Sequence, residues 1–96
     1  MTYTYSQKAE HDLVEIYIEG ASRFGEKQAD EYHGEIEEML ELLSGNPRMA
    51  RERLEISPPV RIHPFRSHLI VYIVDDNNDI FIVRLRHVHE DWQGKP

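Results

Sequence analysis

The 96-residue chain contains no cysteine. Disulfides, thiolate metal sites and a cysteine nucleophile are therefore excluded. Long apolar runs are also missing. The longest, Leu69 to Val74, falls far short of the roughly 20 residues that a membrane-crossing helix needs. The opening Met1-Thr2-Tyr3-Thr4-Tyr5 lacks the basic-then-apolar pattern of a secretory leader. These absences lead to the expectation of a cytoplasmic chain with no membrane partner. No Gly-rich phosphate loop, paired-carboxylate motif or Ser/His/Asp signature stands out, so no cofactor is expected.

Positive charge is scarce in one half of the chain. Residues 1–46 carry three Lys/Arg against eleven Asp/Glu, a balance of −8. Residues 47–96 carry eight against seven, a balance of +1, and the whole chain carries −7. An acidic surface repels phosphate backbones, and proteins that grip nucleic acid are normally basic. Direct nucleic-acid binding is not expected, although the second half concentrates arginine. With 40% hydrophobic and 30% charged residues, the composition is that of an ordinary globular protein. The length suits one domain, residues 1–96.

The pattern along the chain yields six elements. Thr2 to Tyr5 alternates β-formers and reads as a short strand. Ser6 is a plausible N-cap for a helix over residues 7–23, whose stripe is Ala9, Leu13, Ile16, Tyr17, Gly20 and Phe24. Gly25 breaks it. A second helix is expected over residues 26–44, with Ala29, Tyr32, Ile36, Met39, Leu40 and Leu43 on one face. Gly45-Asn46-Pro47 stops it. The short connection makes the two helices an antiparallel hairpin. Arg48 to Glu55 reads as a loop running into a strand. Strands follow at Val60 to Phe65, Leu69 to Val74 and Ile80 to His89, with a turn at residues 75–79. Pro64 marks an edge or a bulge. The fold class is α+β: an N-terminal strand, then a helical hairpin packed on one face of an antiparallel sheet, in the order β-α-α-β-β-β.

Alternation on the last strand sends Phe81, Val83 and Leu85 toward the helices. Ile80, Ile82, Arg84, Arg86 and Val88 then point to the open face, where Arg61 and Arg66 could join Arg84 and Arg86. Such a set is either a group of solvated arginines or a site for a carboxylate, phosphate or acidic partner. His87 and His89 share a strand face and could supply two metal ligands, but no third ligand is tied to them locally. No metal is expected. A histidine beside arginines could also move protons near neutral pH. Val14, Ile18 and Ala21 form a second apolar strip on the first helix. That strip either packs against a loop or chain end, or makes a groove for a partner's amphipathic helix. Trp92 either folds back on the core or serves as an exposed anchor.

These pieces meet a known pattern. Tyr5 to Leu13 resembles the opening of ParE/RelE toxins, where a strand passes into a helix with a spaced Ala and Asp-Leu. Gly25 to Tyr32 is similar to the interhelical Gly, Gln-Ala and Tyr of that superfamily, and Leu42 to Pro47 to its helix end. Arg61 with His68-Leu69-Ile70-Val71-Tyr72, then Ile82 to His87 and Asp91-Trp92, resembles the ParE branch. The resemblance implies a toxin that inhibits DNA gyrase by binding, without catalytic residues, and is neutralised by a ParD-like antitoxin. The antitoxin-binding residues would then be Val14, Ile18, Ala21, Arg61, Arg84 and Arg86, and the target-binding residues Arg66, His87, His89 and Trp92. The alternatives are an inactive binding relative, or a RelE-like ribosome-dependent endoribonuclease. In the latter, Arg61 and Arg84 would hold the phosphate and His87 would serve acid–base chemistry.

Overall fold

The structure, a computed structural model, describes residues 3–88. Strand β1 (Tyr3–Tyr5) leads into helices α1 (Gln7–Phe24) and α2 (Glu26–Gly45). Strands β2 (Glu52–Arg53), β3 (Val60–Phe65), β4 (His68–Val74) and β5 (Ile80–His87) follow. They form one five-stranded sheet in the order β1-β5-β4-β3-β2, with both helices packed on one face. The expected β-α-α-β-β-β order is present, with β2 as an added stub inside the segment read as a loop. The sheet is mixed where an antiparallel one was expected. β1 runs parallel to β5, and the other neighbours are antiparallel.

Ser6 serves the fold in three ways. Its Oγ accepts from Ala9 N at 2.9 Å, capping α1. The same hydroxyl donates to Val83 O at 2.7 Å, and Ser6 N donates to Ile82 O at 2.9 Å. Gly25 alone separates the two helices. Its φ of 95° is a conformation that a side chain would strain.

The core lies between the helix pair and the sheet. Leu40, Leu43 and Ile36 of α2 are fully buried against Ile70, Tyr72, Ile80, Ile82 and Leu85. Each aliphatic side chain buried this completely contributes about 2 kcal/mol. α1 supplies Ala9, Leu13 and Ile16 from the expected stripe. Phe24, expected to continue it, lies at the helix end and is 64% exposed.

The faces of β5 differ from strict alternation. Val74 pairs with Ile80 and Tyr72 with Ile82, but Val71 pairs with Arg84, leaving Val83 as an extra residue in a bulge. A bulge shifts the two-residue period by one. Ile80 and Ile82 therefore enter the core before it, and Leu85 enters after it. The expected inward placement of Phe81 and Val83 and outward placement of Ile80 and Ile82 are thus reversed, while Leu85 lies inward as expected.

Candidate functional site

β1 ends opposite Ile82, so β5 has no strand neighbour on that side beyond this point. The first turns of α1 supply the missing partners. Ser6 takes Val83 O, and the carboxylate of Asp12 takes Leu85 N at 2.9 Å. Asp12 also accepts from Arg84 Nε at 2.8 Å and Arg84 Nη2 at 3.0 Å. Two parallel N–H···O bonds to one carboxylate make the strong, geometrically fixed form of this pair. Both side chains are largely withdrawn from water, at 27% and 12% exposure for Arg84 and Asp12. Arg84 lies opposite Val71, on the face away from the helices, yet its guanidinium is committed to Asp12 of α1 at the side of β5 that β1 leaves uncovered.

Arg61 is displaced from its expected place. It pairs in register with Tyr72, a core residue, and so faces the helix side. There its Nη1 donates to Ala50 O at 2.7 Å, beside the Tyr72 hydroxyl, which donates to Pro47 O at 2.8 Å. The two residues hold the chain that leaves α2. Burial pushes the Tyr72 phenol up, so it remains a donor at neutral pH. Arg86 lies opposite Leu69, which in turn lies opposite Pro64, on the face away from the helices. Of the three arginines assigned to an antitoxin, Arg84 and Arg86 keep their expected side by register and Arg61 does not. That face is otherwise largely apolar, with Ile62 opposite Val71 and Ile73 opposite Phe81.

At the far end of the sheet, residues of the helices and strands form a cleft that sequence reasoning missed. Its volume is about 470 Å³, and Leu13, Tyr32, Ile36, Arg66, His68 and His87 are among its walls. The Tyr32 hydroxyl and His68 Nδ1 are hydrogen-bonded at 2.7 Å, and the His68 and His87 rings meet edge to face at 5.4 Å. Burial pushes the Tyr32 phenol up. Arg66 sits in the two-residue turn between β3 and β4 with φ of 53°, a left-handed conformation that disfavours so long a side chain. Its guanidinium pairs with Glu35 at 3.1 Å and lies 5.7 Å from the Phe65 ring centroid. Tyr32, read as part of the apolar face of α2, thus provides a polar tip as well. The alternation of Phe65 and His68 about a tight turn was the available signal for this cleft, but it did not reveal which helix residues would meet it.

Arg61, Arg84 and His87 do not gather around one point. Arg61 and His87 lie opposite β4 residues four positions apart, about 13 Å along the strand. Arg84 turns to the opposite edge to meet Asp12. His89 and Trp92, expected to bind a target, lie outside the described residues. So does the second member of the His87/His89 pair. Among the described residues, no group of three His, Cys, Asp or Glu could hold a metal ion. No helix among them is long and apolar enough to cross a membrane.

The second apolar strip of α1 is open to solvent. Val14 is 55% and Ile18 57% exposed, with Ala21 half-buried one turn on. A shallow groove of about 490 Å³ runs beside them, walled by Leu13 and Tyr17 and bounded by Glu10 and Asp30. Tyr17 donates to Asp30 Oδ1 at 2.6 Å, and that bond holds the Tyr17 phenol above its ordinary pKa.

His63 provides a pH handle on the same scaffold. It lies opposite the core residue Ile70, and burial lowers its pKa from 6.5. The folded chain holds a proton on this ring less readily than the unfolded chain, which takes one up near 6.5. Its contribution to stability is therefore present above that pH and is lost as pH falls from 6.5 toward the lower folded value. His63→Gln is expected to flatten that part of the profile. Urea midpoints at pH 7.5 and 5.0 (roughly one unit or more either side of the ordinary histidine value) check this. An unchanged difference between the two midpoints would show that His63 is not responsible.

A helical hairpin on one face of a five-stranded sheet, bearing an exposed apolar groove, describes a toxin scaffold of the ParE/RelE kind. The sequence profile described as "ParE toxin of type II toxin-antitoxin system, parDE" matches residues 3–92. The chain belongs to this ParE toxin family. It is 33% identical over 89 residues to proteins named Toxin ParE1 from two Mycobacterium tuberculosis strains, CDC 1551 / Oshkosh and ATCC 25618 / H37Rv. Those alignments cover 93% of this chain and 91% of each relative. Among solved structures, a chain of the "Chromosomal ParDE TA system from P. aeruginosa" superposes with a TM-score of 0.79 at 23% identity. That match covers 93% of this chain and 97% of the other and supports the fold.

Proposed function

We propose that this toxin inhibits DNA gyrase by binding it and is neutralised by a ParD-like antitoxin. The observation that carries the reading is the scattering of its cationic groups. Phosphodiester cleavage needs positioned charge and a proton-transfer group around one phosphate. Here Arg84 is committed to Asp12 and Arg61 to Ala50 O, while His87 lies in a cleft elsewhere on the sheet. That distribution favours a binding protein over a nuclease. The exposed Val14/Ile18 groove is the surface on which the antitoxin's helix would lie. Target contacts are assigned to Arg66 and His87, at the other end of the hairpin, with His89 and Trp92 as further candidates. Work is done in the cytoplasm, where both partners would be met.

A supercoiling assay tests this directly. Stoichiometric toxin is expected to block supercoiling by purified gyrase, while message in a translating ribosome reaction stays intact. Cleaved message with normal supercoiling would overturn the reading in favour of an endoribonuclease. Normal supercoiling with intact message and no growth arrest on expression would leave a non-toxic relative.

A further inference from the structure

We infer that the segment covering the Val14/Ile18 groove is a basic amphipathic helix, carrying lysine or arginine on both flanks of its apolar face. The inference rests on the reading of this chain as an antitoxin-neutralised toxin, and it describes the chemistry of that antitoxin's docking segment.

The apolar part of the argument is geometric. Val14 and Ile18 are four residues apart on α1, hence about 6 Å along the helix axis. Both are more than half exposed, and Leu13 and Tyr17 line the groove beside them. A partner helix with apolar side chains at the same i, i+4 spacing presents matching anchors.

Charge decides which helix that is. The groove lining includes two carboxylates, Glu10 and Asp30, and neither lysine nor arginine. Glu15 and Glu19 follow Val14 and Ile18 directly in sequence. Their ion pairs with His11 and Arg23 are exposed i, i+4 contacts at 3.6 Å, which barely offset their charge. Residues 1–46 as a whole carry −8. A second copy of this chain would bring the same carboxylates face to face, because a two-fold interface sets a patch against itself. An anionic lipid surface would be repelled for the same reason. A cationic flank is attracted, and like-charged competitors are rejected.

The test uses two synthetic helical peptides with the same leucine face, one flanked by lysine and one by glutamate. Fluorescence anisotropy measures their affinity for the full chain at 50 and 300 mM salt. The lysine peptide is expected to bind at least ten-fold more tightly at low salt. The gap should shrink at high salt as screening shortens to within about 6 Å. Glu10→Gln with Asp30→Asn should narrow the gap by several-fold. Val14→Asp with Ile18→Asp should abolish binding of both peptides while the circular dichroism spectrum stays unchanged. Equal affinities, tighter binding of the glutamate peptide, or no binding of either would overturn the inference. Running the supercoiling assay on the unmodified chain beside the peptide measurements separates the two ideas. Inhibited gyrase with no charge preference removes the basic helix and keeps the toxin reading. Charge-selective binding with unaffected gyrase does the opposite for the gyrase target.

Discussion

Replacing Asp12 by alanine is expected to lower the melting temperature by roughly 15–30 °C. Asp12 holds three donors at once: Nε and Nη2 of Arg84, and Leu85 N. Its removal leaves a largely buried guanidinium without that carboxylate and a strand N–H without its acceptor. Breaking a buried pair from one side costs about 3–5 kcal/mol. In a domain of this size each kcal/mol moves the midpoint by roughly 4–8 °C. The loss comes mainly from the abandoned partners, not from the attraction between the two charges. Asp12→Leu combined with Arg84→Met should therefore recover much of the stability, because an apolar pair of similar shape abandons no charge. Thermal unfolding followed by circular dichroism checks both variants. A drop of only a few degrees for Asp12→Ala would mean that the pair behaves like a surface contact. Arg84→Glu would set two carboxylates against each other, so a binding defect in such a variant would report unfolding before it reported docking.

Tyr72→Ala should destabilise the protein by about 4 kcal/mol, and Tyr72→Phe by about 1 kcal/mol. The ring is fully buried among the helix-side residues, and its loss leaves a cavity as well as a transfer penalty. The hydroxyl adds one bond, to Pro47 O. The ring thus outweighs the hydroxyl several-fold. Urea unfolding of the two variants measures the ratio. Equal losses would show that anchoring the chain after α2 matters more than filling the core. Arg61 grips the same stretch at Ala50 O, so Tyr72→Phe with Arg61→Met should exceed the sum of the single changes.

Most of the element plan was legible because it rests on local chemistry. Ser6, Gly25 and Gly45-Asn46-Pro47 punctuate the helices, and the change from a helical to a two-residue period marks the strands. Contacts between distant residues were not legible. Asp12 and Arg84 are 72 positions apart, and nothing near either one predicts the other. The bulge at Val83 had only the spacing Ile80, Ile82, Leu85 to announce it. That spacing is invisible until one knows that all three are buried. Alternation through it sent Ile80 and Ile82 to the wrong side. Arg61 failed for a different reason: an arginine facing a core can still be satisfied by a carbonyl at the margin, here Ala50 O. The Val14/Ile18 strip was read correctly as off the core stripe, because helical phase needs no distant information.

The sheet order has a consequence for how any partner can attach. The outermost rungs of this ladder belong to β1 and β2, which are three and two residues long. Where β5 outlasts β1, Ser6 and Asp12 occupy its backbone groups. Where β3 outlasts β2, Pro64 withholds a donor. Among the described residues, an incoming extended segment therefore finds no long row of vacant hydrogen bonds on which to build another strand. This arrangement favours recruitment by side chains meeting side chains across a helix or a sheet face.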